Sequence, residues 1–459
     1  MKRNDSHFRH DFYLRAVKAF AVLLVVGCFA GCWCFYYAIR IPKPFYIKGN
    51  LLFITLYLII YIWAGKVFDA FSISINRASE IAYSQVLACA SSDFIIYIVI
   101  CLQSLKIVKI WPGFLCFIAQ AVFATLWAFV ANAWYFRSFA PKESIVVYDM
   151  RNGLDRIIEE YGLNKKYHVL RVVEIHECLE HPEMLDDIDV VFFSGIHSHE
   201  RNVLLKRCVE YDTQVFVIPR IGDVIMSGAQ QMHMFHLPML SVTRYNPSLE
   251  FVFIKRVFDI LISLFAIIVL SPFMLVVAIC IKCYDGGPVL YKQSRLTKNG
   301  KVFQVMKFRS MRVDAERDGV ARLSSGDHDD RITPVGRIIR KIRFDELPQF
   351  FNILKGDMSF IGPRPERPEI AEQYEKEIPE FKLRLQAKAG LTGYAQVYGK
   401  YNTTPYDKLQ MDLIYIANPG ILQEISILFA TVKILFLPES TEGVAEGQVT
   451  AMCEEDSNT

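Results

Sequence analysis

Residues Val257 to Ile281 read VFDILISLFAIIVLSPFMLVVAICI. An apolar run of this length can cross a bilayer as a helix, which takes about 20 residues. Lys255 and Arg256 precede it, Lys282 follows it, and Ser271-Pro272 stands in its middle. Proline removes a backbone donor and crowds the preceding turn, so a break is expected there. A straight span would put everything downstream on the other side of the membrane. A hairpin that dips in and returns would keep both basic ends on one side, with the Ser271 hydroxyl satisfying freed backbone groups.

Upstream, four more apolar stretches lie at about Ala16–Ile39, Leu51–Phe71, Ile81–Leu105 and Pro112–Phe136, each near spanning length. Asp93, inside the third, is costly at mid-membrane and is expected to make a polar packing contact within a helix bundle. Lys2, Arg3, Arg9, Arg15 and Lys18 precede or open the first span, and Arg137 and Lys142 follow the fourth, so both ends favour the cytoplasm. Arg40, Lys43 and Lys48 in the first external loop run against that trend. The whole chain, 459 residues with 53% hydrophobic content and a mean hydropathy of +0.24, fits a multi-domain membrane protein. A formal net charge of +3 gives no reason to expect nucleic acid. Several of the 11 cysteines sit in apolar runs, and Cys280-x-x-Cys283 lacks a second ligand pair, so neither zinc nor an oxidising compartment is implied.

Between the two membrane regions, residues 143–250 read as a degenerate Rossmann-like α/β domain. Ser144–Tyr148, Val190–Ser194 and Gln214–Ile218 are short β-rich runs alternating with the helical patterns Leu154–Tyr161 and Arg201–Glu210. The first strand runs into Asp149-Met-Arg-Asn-Gly153, with no G-x-G-x-x-G to cradle a pyrophosphate. A structural or regulatory role is expected.

Chemistry concentrates in Arg331–Arg367. Arg337, Arg340, Lys341 and Arg343 lead into Asp345-Glu346, followed by Lys355, Asp357 and Gly362-Pro-Arg-Pro365. Arginines suit phosphate, and carboxylates among them suit Mg²⁺ or nucleophilic attack on phosphorus. Flanking arginines are expected to lower the Asp345 pKa and keep it ionised. The prolines stiffen the turn that presents Arg364. On these residues alone, phosphoryl chemistry beside a membrane and a solvated basic face with incidental carboxylates stand about level.

The stretch Asp345-Glu-Leu-Pro-Gln-Phe-Phe-Asn-Ile-Leu-Lys-Gly-Asp-Met-Ser-Phe-Ile-Gly-Pro-Arg-Pro365 closely resembles the signature of bacterial sugar transferases, the monotopic phosphoglycosyl transferases. The resemblance covers about Phe251–Pro438. It takes in Gly287-Pro-Val289, Lys307-Phe-Arg-Ser-Met311, Thr333-Pro-Val-Gly-Arg337, Leu391-Thr-Gly-Tyr-Ala-Gln396 and Asp412-Leu-Ile-Tyr415. The four spans and α/β domain resemble the long form of the family, which starts capsule, exopolysaccharide or O-antigen repeat units. The chain departs from the family pattern at Arg343-Phe344, where Ser-Leu is usual, and at Ala389, where Pro is common.

The resemblance implies transfer of a sugar phosphate from a UDP-sugar, glucose or galactose, to undecaprenyl phosphate with release of UMP. Asp345 would be the nucleophile and Glu346 its partner, the two together holding Mg²⁺. Arg340, Arg364 with Pro363 and Pro365, Lys307, Arg309 and Asp412 would bind substrate, and Ser271-Pro272 would break a re-entrant hairpin at 251–286. Nucleotide sugars are cytoplasmic, which favours the hairpin and places a mainly helical α+β catalytic domain, 287–438, on the cytoplasmic face of the bacterial membrane. A homodimer through the bundle or the α/β domain is compatible with this, and the acidic tail, 439–459, is expected to be disordered. Two rivals are a membrane-bound sugar-nucleotide dehydratase, which needs a glycine-rich NAD loop, and a non-catalytic scaffold of polysaccharide assembly, which does not need Asp345, Glu346 and Arg364 together.

Overall fold

The computed structural model describes residues 2–42, 44–245, 247–312, 331–399 and 403–435; the tail at 439–459 and Lys43 lie outside the described residues. The chain divides into two compact units, Met1–Ile218 and Pro219–Thr459.

The first unit opens with four long apolar helices: α1 (Lys2–Cys32), α2 (Ile47–Val67), α3 (Ala78–Ser104) and α4 (Trp111–Ser138). They pack in a ring, α1 on α2 and α4, and α3 on α2 and α4. Aromatic side chains fill the centre: Phe29 stacks on Tyr57 and Trp33 on Phe53, both with ring centroids 3.9 Å apart. The Tyr57 hydroxyl donates to Asp93 at 2.8 Å and accepts from Gln120 at 2.9 Å. Asp93 therefore makes the interhelical contact its position demanded.

Beyond the helices lies a parallel four-stranded sheet, order β2-β1-β3-β4. Its elements are β1 (Lys142–Tyr148), α5 (Leu154–Glu160), β2 (Tyr167–Glu174), α6 (Ile175–Glu180), β3 (Val190–Ser194), α7 (Ser198–Glu210) and β4 (Gln214–Val217). Ile145, Val147, Val191 and Phe193 from the two inner strands form the core with Leu204 of α7. An inner parallel strand is covered on both faces, which is why β1 and β3 read as unbroken apolar runs. The sequence did not reveal β2: it is an edge strand with five of its eight residues exposed, and charges at Arg171 and Glu174 mask it.

The second unit starts at Pro219 rather than at residue 251. Helix α8 (Ile221–Ser227) buries Ile221 and Val224 against Leu409 and Leu413, so its apolar face belongs to this core. Strands β5 (Gln230–Met234) and β6 (Leu237–Ser241) follow as an antiparallel hairpin whose side chains are nearly all exposed, with Phe235 78% exposed at its tip.

The expected break at Ser271-Pro272 and the two-helix hairpin over 251–286 are corrected: α9 (Leu249–Asp285) runs as one helix with Pro272 inside it. Pro272 has no N–H to give the Ile268 carbonyl, and the Ser271 hydroxyl supplies that bond at 2.9 Å. Ser248 caps the start by accepting from the Phe251 N–H, and Gly286, at φ +69°, ends the helix. Both ends are bound to the same unit. Lys255 pairs with Glu424, Arg256 donates to the Ile353 and Leu354 carbonyls, and Asp259 accepts from Ser359 and the Phe360 N–H. At the far end Asp285 pairs with Arg309. Between these ties most of the helix is exposed apolar surface, including Leu261, Phe265, Ile268 and Leu275.

The rest of the unit is β7 (Leu290–Leu296) paired antiparallel with β8 (Val302–Phe308), then α10 (Pro334–Lys341), α11 (Gln349–Lys355), β9 (Ser359–Ile361), α12 (Pro368–Glu377), β10 (Gly390–Thr392) parallel to β9, α13 (Tyr394–Tyr398), α14 (Pro405–Ala417) and α15 (Ile421–Leu435). Among the described residues five helices are long and apolar enough to cross a membrane: His10–Arg40, α2, α3, α4 and α9.

Candidate active site

Asp345 and Glu346 sit on a single 3₁₀ turn, Phe344–Glu346, between α10 and α11. Arg343, just before it, has φ +55°. A non-glycine residue in the left-handed region is uncommon and carries local strain. This twist separates α10 from the dyad turn and lies where the chain departs from the family pattern.

The two carboxylates have different surroundings. Glu346 takes the Lys307 ammonium from β8 at 2.8 Å, with its side chain 19% exposed. Burial alone would raise its pKa, but Lys307, then Arg364 and Arg343, outweigh burial and hold the carboxyl well below the usual range. Among the described residues no ion pair is formed by the Asp345 carboxyl, which takes a hydrogen bond from its own backbone. Burial pushes its carboxyl up, Lys307 pulls it down, the Glu346 charge raises it, and Arg340 lowers it. The expectation that flanking arginines depress Asp345 is thus corrected: Lys307 and Arg340 do pull its carboxyl down, but desolvation wins.

The Pro-Arg-Pro loop is pinned carbonyl by carbonyl. Pro363 O accepts from the Gly390 N–H at 2.9 Å and Arg364 O from Arg384 at 3.0 Å. Pro365 O accepts from Arg295 at 2.9 Å and Glu366 O from the Leu296 N–H at 2.9 Å. Three glycines permit the close approach beneath. A Cβ on Gly362 would lie 2.2 Å from the Lys388 carbonyl, one on Gly390 2.1 Å from the Gly362 nitrogen, and one on Gly393 2.1 Å from the Gly362 carbonyl. With its backbone held, Arg364 stays exposed and acts on Glu346. Pro363 is buried and Pro365 half-buried, so they shape the loop.

Other expected substrate ligands lie elsewhere. Asp412 is 1% exposed and accepts from Arg384 Nε and Nη2 at 2.9 and 2.7 Å. Burial pushes its carboxyl up to about 6 against the pull of Arg384, so it remains ionised and paired at neutral pH. It supports the loop through Arg384. Arg309 is 7% exposed and bound to Asp285, so it ties β8 to the end of α9. Arg340 lies on the last turn of α10, with its charge acting on Asp345. Arg295 and Arg384, which the sequence did not single out, are the residues that hold the loop. Their partners are 70 and 20 positions away and no local pattern marks them.

No group of three or more His, Cys, Asp and Glu side chains converges among the described residues. That leaves the two adjacent carboxylates, a donor set that suits Mg²⁺, which takes one or two carboxylates and completes its shell with phosphate oxygens and water.

A free carboxylate beside one fixed by lysine, under a rigid arginine loop and next to a long apolar helix, defines an anion-handling site suited to phosphate groups. Residues 250–438 match the model of the family described as "Bacterial sugar transferase". The chain is 39% identical over 232 residues to a "UDP-N-acetylgalactosamine-undecaprenyl-phosphate N-acetylgalactosaminephosphotransferase" of Aeromonas hydrophila, covering 50% of this chain and 54% of that one. It is 40% identical over 191 residues to a "UDP-glucose:undecaprenyl-phosphate glucose-1-phosphate transferase" of Klebsiella pneumoniae, covering 40% and 41%. It is 42% identical over 188 residues to the "Exopolysaccharide production protein PSS" of Rhizobium leguminosarum bv. phaseoli, covering 39% of this chain and 93% of that one. The chain thus spans about half the length of the first two relatives or less, and nearly all of the third. The chain belongs to the bacterial sugar transferase family.

Proposed function

We propose that this protein transfers a sugar 1-phosphate from a UDP-sugar to undecaprenyl phosphate in the first membrane step of exopolysaccharide or capsule synthesis. The observation that carries the reading is the unequal dyad: Glu346 is held by Lys307 and its carboxyl is lowered, while burial raises the carboxyl of Asp345. A carboxylate oxygen of Asp345 attacks the sugar-linked phosphorus, the bond to the inner phosphate breaks, and UMP leaves. An oxygen of the lipid phosphate then attacks the same phosphorus, displaces Asp345 and forms the diphosphate. Arg364 and Arg340 orient the phosphates, and Glu346 with Lys307 handles the proton and charge at the acceptor. Asp345 and Glu346 would hold Mg²⁺, which when bound offsets the diphosphate charge.

The names of the relatives divide between N-acetylgalactosamine, glucose and galactose. We take UDP-glucose and UDP-galactose as the first donors to test. For placement, α1–α4 form a transmembrane bundle followed by a Rossmann-like domain, and α9 is re-entrant from the cytoplasmic face. The support for re-entry is that Arg256 and Asp285, near opposite ends of α9, both bind one compact unit, which a straight crossing would forbid. A homodimer has its support in the β5–β6 hairpin, since an isolated apolar hairpin is marginal unless something covers it.

The test uses the full chain in nanodiscs with undecaprenyl phosphate, Mg²⁺ and UDP-sugars. UMP release that stops in Asp345→Asn, and a phosphosugar adduct on the protein when the lipid acceptor is withheld, are expected. Release of UDP instead would mean that a different bond is cleaved and the reading is wrong.

A further inference from the structure

Where strand β9 runs into the Pro-Arg-Pro loop, one peptide unit is gripped from both sides. Its carbonyl, on Ile361, accepts from Lys255 Nζ of α9 at 3.0 Å. Its N–H, on Gly362, donates to the Thr392 carbonyl of β10 at 2.9 Å. Lys255 is also paired with one carboxylate oxygen of Glu424, on α15. The other oxygen accepts from the Tyr415 hydroxyl of α14 at 2.6 Å, and that hydroxyl lies 3.4 Å from the same Ile361 carbonyl. On the N–H side α15 contributes again, with Thr431 Oγ1 2.8 Å from Thr392 Oγ1. Glu424, Ile427 and Thr431 fall at i, i+3 and i+7 on one face of α15, and Ile427 shares a core with Ile361. Tyr415 is 3% exposed, and the Lys255 and Glu424 side chains 15% each. Burial, then the Glu424 charge, push the Tyr415 phenol well above its ordinary range, so it keeps the proton it donates.

A peptide unit is planar, so fixing its carbonyl and its N–H fixes the direction in which the chain leaves it. Here the chain leaves into Pro363, whose locked φ passes that direction on to Arg364. We propose that Lys255, Glu424 and Tyr415 are positioning residues for the sugar donor: by aiming the Ile361–Gly362 peptide they hold Arg364 where it meets the nucleotide diphosphate. The inference rests on the reading of Arg364 as a donor ligand. The three residues act through the loop and touch no substrate. A pair of apolar side chains would join α9 to α15 at least as firmly as a buried ion pair does. What the ion pair and the hydroxyl add is a fixed direction on one carbonyl.

The experiment compares Tyr415→Phe, Glu424→Gln, Lys255→Met and Lys255→Arg with wild type, each as the full chain in nanodiscs. Steady-state kinetics use undecaprenyl phosphate with UDP-glucose and UDP-galactose, and amide hydrogen exchange is followed in parallel. The first three variants should raise the donor KM on the order of tenfold, the worth of one charge-assisted hydrogen bond, and leave kcat and the KM for undecaprenyl phosphate in place. Exchange at the Gly362, Arg364 and Glu366 amides should quicken in them, while that of the β7–β8 pair stays as in wild type. Lys255→Arg keeps the charge and the donor, and should recover most of the donor KM. Variants whose kcat and melting temperature fall while the donor KM holds, or whose loop exchange matches wild type, would overturn the positioning role. A wild type that releases no UMP from any UDP-sugar would sink the proposed reaction instead, and exchange at the loop would still decide whether the three residues aim it. If Glu424→Gln or Lys255→Met fails to fold, Tyr415→Phe, which loses one hydroxyl, decides.

Discussion

Lys307 reaches from β8 to Glu346 at 2.8 Å, while its charge acts on the neighbouring Asp345 without an ion pair among the described residues. Two adjacent carboxylates thereby acquire different electrostatic roles, and substitutions at them should differ in kind. Asp345→Asn should abolish both UMP release and the covalent adduct. Glu346→Gln should still form adduct, with turnover reduced on the order of 10²–10⁴-fold, the range for lost acid–base assistance. Rapid-quench measurement of adduct and product separates the two. Adduct formation in Asp345→Asn would remove it as nucleophile.

The pH profile follows from the same pair. The proposed attack by Asp345 needs its carboxyl ionised, and burial raises its pKa. Adduct formation should therefore fall as pH drops through a value above the ordinary aspartate range of about 4. Lys307 is the strongest influence lowering that pKa, so Lys307→Met should move the acid limb to higher pH. Single-turnover rates against pH give the answer, and a limb that stays put in the variant would contradict the assignment.

The buried pair Arg384–Asp412 holds the Arg364 carbonyl from below. Removing one member leaves an uncompensated buried charge, at a cost of about 3–5 kcal/mol. Arg384→Met should lower the melting temperature and weaken donor-sugar binding together. Arg364→Ala, at an exposed residue, should weaken binding with the melting temperature unchanged. Equal thermal losses in the two would mean that Arg384 does not act through the loop.

Glycines divide by what surrounds them. Gly362→Ala places a Cβ 2.2 Å from a backbone carbonyl and should prevent stable folding of the second unit, read as lost expression of monodisperse protein. Gly222→Ala, at an exposed position of α8, meets nothing within 4 Å and should stabilise by about 0.5–1 kcal/mol.

Sequence legibility tracked how local each feature is. The apolar helices, the inner strands β1 and β3, the dyad and the Pro-Arg-Pro turn all announce themselves within a few residues of chain. So does the Ser271-Pro272 device, whose hydroxyl repairs the bond proline forfeits. Edge strand β2 was hidden because most of its residues face water. The start of the second unit was misplaced because α8 is amphipathic either way, and only contact with α14 assigns it. Asp412 and Arg309 looked like substrate ligands because charge type says nothing about burial. Arg384 and Arg295 were missed because their work is on distant carbonyls.

The ties at Lys255, Arg256, Asp259 and Asp285 have a consequence for how such a protein can be divided. The long apolar helix α9 and the turn that carries Asp345 and Glu346 belong to one unit, so cutting after Ile218 would leave the rear unit with its apolar helix. Attachment is inherited with the chemistry and does not have to be supplied by a neighbouring module. A lineage could shed or exchange everything ahead of Pro219 without losing its seat in the bilayer, and the short Rhizobium relative, 93% of which aligns with this chain, has the extent such a cassette would have.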